Sequence, residues 1–404
     1  MKKISLIVIL AIMNYSGLFA GGYQVRLQGA RQSGMGLTGT SLISGASDIF
    51  YNPGSLSFLS NKFEFTAGGN LVFSNVEFRS LESDYIAKTD NPASTPFFFY
   101  GAGKISNNWA AGLGIYTPYG SKAQWPEDWS GRYLIQNIAL SSIYFQPTLS
   151  YQITDNLSLG AGLVWVIGSV DLQKALPYNE HSYVQLNGSA TAFGFNIGVL
   201  FKPTQTIHIG VDYRSKIEIS LEDGDAEFHL PSSITSIIPT NNKFSSSLPL
   251  PANLDFGISW QVSQRLLLSL EMNWVMWNCY DTLTFTFAQS GELLNNKNPR
   301  LYNNTVIPRA GLEYQIQSKL KIRTGVYYDD SPANDDYFSP ETVTLNTLGF
   351  TFGLTYHPIE NLNIDLSFVQ LMGMESEKNY SPGNFAGRYQ STASIPGLGI
   401  TYNF

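Results

Sequence analysis

An all-β chain, closed into a transmembrane antiparallel β-barrel of about fourteen strands with an N-terminal hatch in its lumen, is the fold this sequence predicts. Three observations point there. A two-residue rhythm of oily and polar positions outlasts ordinary strands, the composition is rich in aromatics and poor in charge, and short turns alternate regularly with long loops.

The rhythm is plainest in residues 206–220, TIHIGVDYRSKIEIS. Ile207, Ile209, Val211, Tyr213, Ser215, Ile217 and Ile219 fall on odd positions, while His208, Asp212, Arg214, Lys216 and Glu218 fall on even ones. A strand sends successive side chains to opposite faces, so this spacing separates an apolar surface from an ionic one; a helix would scatter the charge all round. Soluble strands run about five to six residues, whereas a tilted membrane strand needs about nine to eleven. The length therefore favours an apolar face turned to lipid and a polar face turned inward.

Composition agrees. Of 404 residues 14% are aromatic and only 14% charged, against roughly 25% charged in soluble domains. No long apolar run follows the N-terminus, which excludes a helical membrane protein, and the mean hydropathy near zero is what alternation produces. No charged or Pro/Ser-rich linker divides the chain, so a single large architecture is expected. Without residues 1–20 the chain keeps 22 basic against 31 acidic residues, a formal charge of −9, which argues against a nucleic-acid partner. Cys279 stands alone, so there is no internal disulfide.

In chain order, Lys2 and Lys3 precede an apolar stretch from Ile4 to Ile12 and a polar turn before Ala20, the make-up of a secretory signal peptide (1–20) cut after Ala20. Residues 21–61 drop the rhythm for Gly and Ser and are expected to be compact but irregular, an N-terminal hatch. Gly34, Gly36 and Gly39 spell G-x-G-x-x-G, but no strand leads into it, so the glycines signal tight packing rather than a nucleotide site. The transmembrane barrel, 62–404, holds fourteen strand candidates: 62–79, 96–105, 109–118, 139–152, 157–172, 189–202, 206–220, 251–262, 266–287, 301–316, 320–328, 342–357, 362–372 and 390–404. Six tight turns, such as SNN (106–108), TDN (154–156) and SQR (263–265), alternate with seven long loops. That asymmetry, with an even strand number, is that of a bacterial outer-membrane barrel whose short turns face the periplasm. Both chain ends then lie on the periplasmic side.

The last strand alternates Leu398, Ile400, Tyr402 and Phe404 with Gly397, Gly399, Thr401 and Asn403. Its aromatic end, Tyr402 and Phe404, looks like the signal read by the barrel-assembly machinery. Several blocks carry a wider resemblance: SGMGLTGTSLISGASDIFYNPGSLSFL, YTPYGSKAQWPEDWSGRY (116–133), VDYRSKIEISLEDGDAEFHLP (211–231), LPLPANLDFGISW (248–260) and GVYYDDSPANDDYFSPE (325–341). In this order they resemble the FadL/TodX-type outer-membrane transporters of long-chain fatty acids and other hydrophobic molecules, over essentially all of the chain beyond the leader. The resemblance implies a fourteen-stranded, hatch-plugged, monomeric barrel in the bacterial outer membrane, in contact with outer-membrane lipid. It implies ligand capture on extracellular loops and diffusion through the wall. The family's Asn-Pro-Ala hatch signature falls on Asn52, Pro53 and Gly54, with glycine at the third position. The family's early-strand kink, which opens the wall sideways, is expected at Gly112 and Gly114 in WAAGLGIYTP, where glycines equally allow packing against the hatch.

Burying each CH₂ contributes about 0.8 kcal/mol, so a long acyl tail binds by its length alone. The loop 221–250 offers Phe228, Leu230, Ile234, Ile237, Ile238, Phe244, Leu248 and Leu250, an apolar set expected either to bind ligand or to order the rim against 173–188. Basic residues on the polar face, Arg214, Lys216, Lys321 and above all Arg309 and Arg323, are candidates for meeting a carboxylate. Asp212, Glu218, Glu271 and Glu313 share that face, so structural ion pairs are the competing use. The four histidines, His181, His208, His229 and His357, show no metal-ligand spacing, and no nucleophile or phosphate-loop motif is present. No catalysis, metal or cofactor is expected. A general porin or surface-binding barrel, and after it an outer-membrane lipid hydrolase, are the alternatives.

Overall fold

The structure, a computed structural model, describes residues 22–404; the expected signal peptide and its cleavage site lie outside the described residues. The first stave of the wall is β1 (Phe63–Asn70) continued by β2 (Phe73–Arg79), onto which β3 (Ile86–Lys88) folds back. There follow β4 (Phe97–Lys104), β5 (Trp109–Tyr116), the short β6 (Gly120–Gln124), β7 (Asn137–Thr154), β8 (Leu157–Ala175) and β9 (Tyr183–Phe201). Next come β10 (Ile207–Arg214), β11 (Ile217–His229), β12 (Asn241–Leu250), β13 (Asn253–Gln261) and β14 (Leu266–Val275). Two short strands, β15 (Thr282–Phe287) and β16 (Asn296–Pro299), precede β17 (Thr305–Gln317), β18 (Leu320–Asp329), β19 (Thr347–Ile359), β20 (Leu362–Tyr380) and β21 (Phe385–Asn403).

Antiparallel pairing runs from each stave to the next and closes where β1 meets β21, from Glu64↔Asn403 to Asn70↔Gly397. Among the described residues the ring has fourteen staves, the fold class the rhythm predicts. Closure removes the two free edges that an open sheet would expose to hydrocarbon, and ladder pairing lapses only locally, as at residues 188–195 of β9. Large apolar side chains cover the outside: Leu163 is 71% exposed and Phe193 77%, with Phe256, Leu270, Met272, Phe352 and Leu398 beside them. A band of this kind facing water would be an aggregation surface; facing lipid it is the membrane seat.

Several boundaries move. The 206–220 stretch is two strands: through Arg214 the even positions Gly210, Asp212 and Arg214 are buried, but from Ile217 the odd ones are, Ile217, Ile219 and Leu221. Three consecutive polar residues, Arg214-Ser215-Lys216, mark the slip, and a slip of one residue exchanges the faces. The oily side of β10 looks outward, and that of β11 looks in. Residues 221–250 are likewise no irregular loop: β11 and β12 pair from Ile217↔Leu250 to Glu227↔Asn241, with a register shift between Leu221 and Gly224. This hairpin leans on β9 through Asp225↔Asn187 to His229↔Tyr183 and meets β15 at Phe244↔Phe287. The candidate 266–287 ends as a stave at Val275, because a 3-10 turn at Trp277–Cys279 breaks it.

Residues 22–61 fill the lumen with two single-turn helices, α1 (Ala30–Ser33) and α2 (Asp48–Tyr51), and a 3-10 turn at Pro53–Phe58. Backbone meets backbone there. Gly36 adopts φ +67, and a β-carbon on Gly36 would collide with the Ala310 carbonyl, one on Gly210 with the Thr40 carbonyl.

Candidate functional site

Four anchors fix the floor of the lumen. Arg26 reaches across to Asp255 (3.0 Å) and Glu271 (2.8 Å), and Glu271 also takes Arg309 (3.2 Å) and the backbone N–H groups of Gly39 and Thr40 (2.8 and 2.9 Å). Burial works against the charge on Arg26, but Asp255 and Glu271 more than offset it and hold the guanidinium above the ordinary arginine range. A second cluster joins Arg31 to Glu313 (3.0 Å), which Arg323 also binds (2.6 Å) while reaching Asp365 (3.1 Å). In the third, Arg214 donates to the Phe50 carbonyl (2.7 Å) and lies 4.7 Å from the Phe50 ring centroid. The fourth is the Asn52-Pro53-Gly54 turn. Asn52 donates to the Thr40 and Val199 carbonyls (2.7 and 3.0 Å) and accepts from Gly54 N–H (2.9 Å), and Ser158 donates to the Gly54 carbonyl (2.6 Å). A β-carbon at position 54 would lie 2.8 Å from the Gly198 carbonyl oxygen, so glycine lets this turn seat closely on the wall.

Arg309 and Arg323 thus sit in buried ion pairs with wall carboxylates, each 5% exposed, and neither lines an apolar chamber. Lys216, expected on the polar lumen face, points outward and pairs with Glu218 (2.9 Å), because the slip at Ser215 reversed that face. Of the two uses expected for Gly112 and Gly114, a kink or packing against the hatch, the geometry matches the second. β5 pairs without interruption with β4 and β7, and β-carbons at these two positions would lie 2.6 and 2.9 Å from Ile49 atoms, so the glycines make room for the hatch. The wall gives way one step later. At Pro118–Gly120 the chain pairs with the start of the hatch instead: Val25 N–H donates to the Pro118 carbonyl (2.7 Å), Gly120 N–H to that of Tyr23 (3.0 Å), and Gln24 bridges Tyr119.

Above the hatch lie two adjoining chambers that share Leu172, Phe285 and Glu341. The inner one, about 90 Å³, has Tyr23 and Tyr119 in its lining, with Ile138, Leu140, Ile219, Leu221, Phe244 and Leu283. Tyr23 holds its place by donating to the Pro249 carbonyl and by edge contacts to Trp277 (4.8 Å) and Tyr280 (5.9 Å). The outer chamber, about 260 Å³, lies among the long loops and adds Lys174, Asn296, Asn298 and Tyr380 to apolar walls from Leu176, Val184, Phe228 and Phe287. Its carboxylate, Glu341, is committed to Arg300; burial opposes the Arg300 charge, but Glu341 and the phenols of Tyr280, Tyr380 and Tyr302 keep it above the ordinary range. The Lys174 ammonium makes no hydrogen bond or ion pair with any described side chain and stands in a chamber whose lining mixes polar and apolar groups.

Of the apolar set expected to take ligand, Phe228 lines the outer chamber, and Phe244, Leu248 and Leu250 line the inner one. Leu230 and Ile234 pack partly buried against the core, Ile238 is buried, and Ile237 is 57% exposed. Phe228 pairs with Val184, so the hairpin orders the rim as well. Sequence reasoning missed Lys174, Ile219, Leu221 and Tyr23. The polar triplet at 214–216 was the available signal for Ile219 and Leu221; Lys174 carried none. Tyr402 and Phe404 stand on the outer surface, Phe404 N–H donating to the Phe63 carbonyl (2.9 Å) across the closure. Among the described residues no group of three or more His, Cys, Asp or Glu side chains is placed to hold a metal ion.

The long-chain fatty acid transport protein of Escherichia coli (strain K12) is 20% identical across 100% of this chain and 98% of its own length. A FadL homologue from Pseudomonas aeruginosa superposes with a TM-score of 0.84 at 20% identity, covering 95% of this chain and 100% of that one. The Pseudomonas putida toluene transporter TodX gives 0.72 at 17% identity, covering 96% and 100%. At these identities the two structures speak for the fold. The family described as outer membrane protein transport protein (OMPP1/FadL/TodX) matches residues 13–404, so this β-barrel of the bacterial outer membrane belongs to that family.

Proposed function

We propose that this chain carries long-chain fatty acids, or other hydrophobic molecules of that size, passively across the outer membrane: caught among the extracellular loops, held in the inner chamber, and released into the bilayer after the hatch start shifts. One observation carries this reading. A chamber that sets the Lys174 ammonium, without a hydrogen-bond or ion-pair partner among the described side chains, beside apolar and polar side chains adjoins a second, mainly apolar chamber with no cation in its lining, above a lumen that the hatch obstructs. A molecule with a carboxylate head and an alkyl tail would place its head and most of its tail in the outer chamber and the end of the tail in the inner one. A dozen buried CH₂ groups contribute about 10 kcal/mol before ordering costs. The break at Pro118–Gly120, covered by Tyr23–Val25, supports a release point coupled to the hatch. Nothing in the two chambers supports turnover of a bound ester, and the obstructed lumen disfavours a general porin. The inner chamber, with no cation to pair a carboxylate, equally suits an aromatic hydrocarbon, which keeps that cargo as a second reading. Assembly by the barrel machinery through Tyr402 and Phe404, function as a monomer in contact with outer-membrane lipid, and ligand contact by Phe228 and Phe244 belong to the same proposal.

Mass spectrometry of material that co-purifies with the detergent-extracted protein, followed by equilibrium dialysis with labelled palmitate and with toluene, tests it. Saturable palmitate binding supports the first reading and toluene binding alone the second; binding of neither sinks both.

A further inference from the structure

The wall has a second discontinuity, three staves round from the break at Pro118–Gly120. β9 gives residues 183–187 to β11 and residues 196–201 to β10, while residues 188–195 have no ladder partner on that side. Only the lower end is tied: Ser215 N–H donates to the Phe195 carbonyl (2.9 Å) and Phe195 N–H to the Ser215 hydroxyl (3.0 Å). Eight residues at ~3.3 Å each leave a seam about 26 Å long. On its other flank β9 is paired with β8 from Leu157↔Phe201 to Ala175↔Tyr183, so the gap belongs to this joint alone. In hydrocarbon an open edge is costly, and here side chains close it. Ile217, Ile219 and Leu221 sit over Gly194, Gly168 and Gly188, and a β-carbon on each glycine would lie 2.5 Å from the side chain above it. Glycine at three matched positions is a set of sockets.

Two of these pairs, Ile219 over Gly168 and Leu221 over Gly188, also line the inner chamber. Outside, Phe193 and Phe195 are exposed at the lipid surface. The register shift between Leu221 and Gly224 gives β11 slack just above the seam. We infer that the seam between β9 and β11 is a lateral door, closed here, through which a hydrophobic molecule in the inner chamber passes into the outer leaflet when Ile217, Ile219 and Leu221 lift from their glycines. This rests on the proposed carriage of hydrophobic cargo and names a route for it that does not cross the hatch.

A bridge across the seam tests the door. Gly194→Cys with Ile217→Cys, in a Cys279→Ser background, places two thiols where a β-carbon at 194 already lies against the Ile217 side chain, within disulfide reach. Uptake of labelled palmitate by cells expressing this variant is measured oxidised and reduced, and palmitate binding is measured on the purified protein. The door predicts that the bridge cuts uptake by at least half, the remainder leaving by the hatch-coupled break at Pro118–Gly120, that reductant restores it, and that binding stays unchanged. Equal uptake in both states overturns the door alone; no binding and no uptake even when reduced overturns the transport reading and the door with it. Ile217→Ala, which empties the Gly194 socket, provides the opposite perturbation should the bridged protein fail to assemble: faster uptake supports the door, and an unchanged rate refutes it.

Discussion

Glu271 is the group on which the docked hatch depends most. Its carboxylate accepts from Arg26, Arg309, Gly39 N–H and Thr40 N–H, joining two parts of the hatch to the wall through one buried side chain. Glu271→Leu keeps the bulk and removes every one of those acceptors. Breaking a buried, hydrogen-bonded pair by deleting one partner costs about 3–5 kcal/mol. Arg26 retains Asp255 at 3.0 Å, which puts the loss near the lower end. At about 1.4 kcal/mol per decade, 3 kcal/mol raises the undocked fraction of the hatch roughly 150-fold. Ser41 is fully buried against Gly257 and is replaced by cysteine with little change in shape, so Ser41→Cys in the Cys279→Ser background reports undocking through its rate of maleimide labelling. Where opening is fast and reversible, that rate follows the open population. A rise of about two decades on adding Glu271→Leu is expected; a rise below about threefold would show that the ion pairs do not hold the hatch.

Three other outcomes follow from the same geometry. Lys174→Gln removes the ammonium of the outer chamber, and since a hydrogen bond to a charged group contributes about 1.5–3 kcal/mol, palmitate affinity should fall about tenfold or more while affinity for an alkane of equal length stays put; competitive dialysis measures both. Leu221→Trp overfills the inner chamber and should abolish saturable palmitate binding at a stability cost of about 1–3 kcal/mol, read by displacement of a fluorescent fatty acid and by thermal melting. Deleting Phe404 removes the final outward aromatic and its hydrogen bond across the closure, so the share of heat-modifiable, folded protein in the outer membrane should drop several-fold on gels without a change in synthesis.

The staves were legible in the sequence because a sheet with one face in lipid leaves a period of two in every strand. The short turns were equally legible, being tight and polar. What escaped was each place where a face changes its neighbour. From 206 to 220 the oily positions keep one parity, and nothing in Ile217 or Ile219 by itself says that they look inward; the bend at Ser215 does, and it is written only in three adjacent polar residues. Arg309 and Arg323 were visible as lumen cations. Their partners, Glu271 with Arg26 and Glu313 with Arg31, come from staves and hatch segments far apart in sequence. The hatch showed the reverse problem. Its glycines announced close packing, yet which wall strand each one meets is set by register, as with Gly36 against Ala310 and Gly54 against Gly198. Gly112 and Gly114 allowed either a weak point of the wall or packing against the hatch, and only the register shows them as the seat of Ile49.

The most direct test of cargo passage through the two chambers is a rate. Labelled palmitate is given to cells that lack their own fatty-acid uptake, with and without this chain in the outer membrane, and with Leu221→Trp as the blocked control. Saturable uptake that appears with the chain and disappears with Leu221→Trp is the expected result. Uptake that is absent although the barrel is folded in the membrane, or that survives the blocked chamber undiminished, would contradict the account.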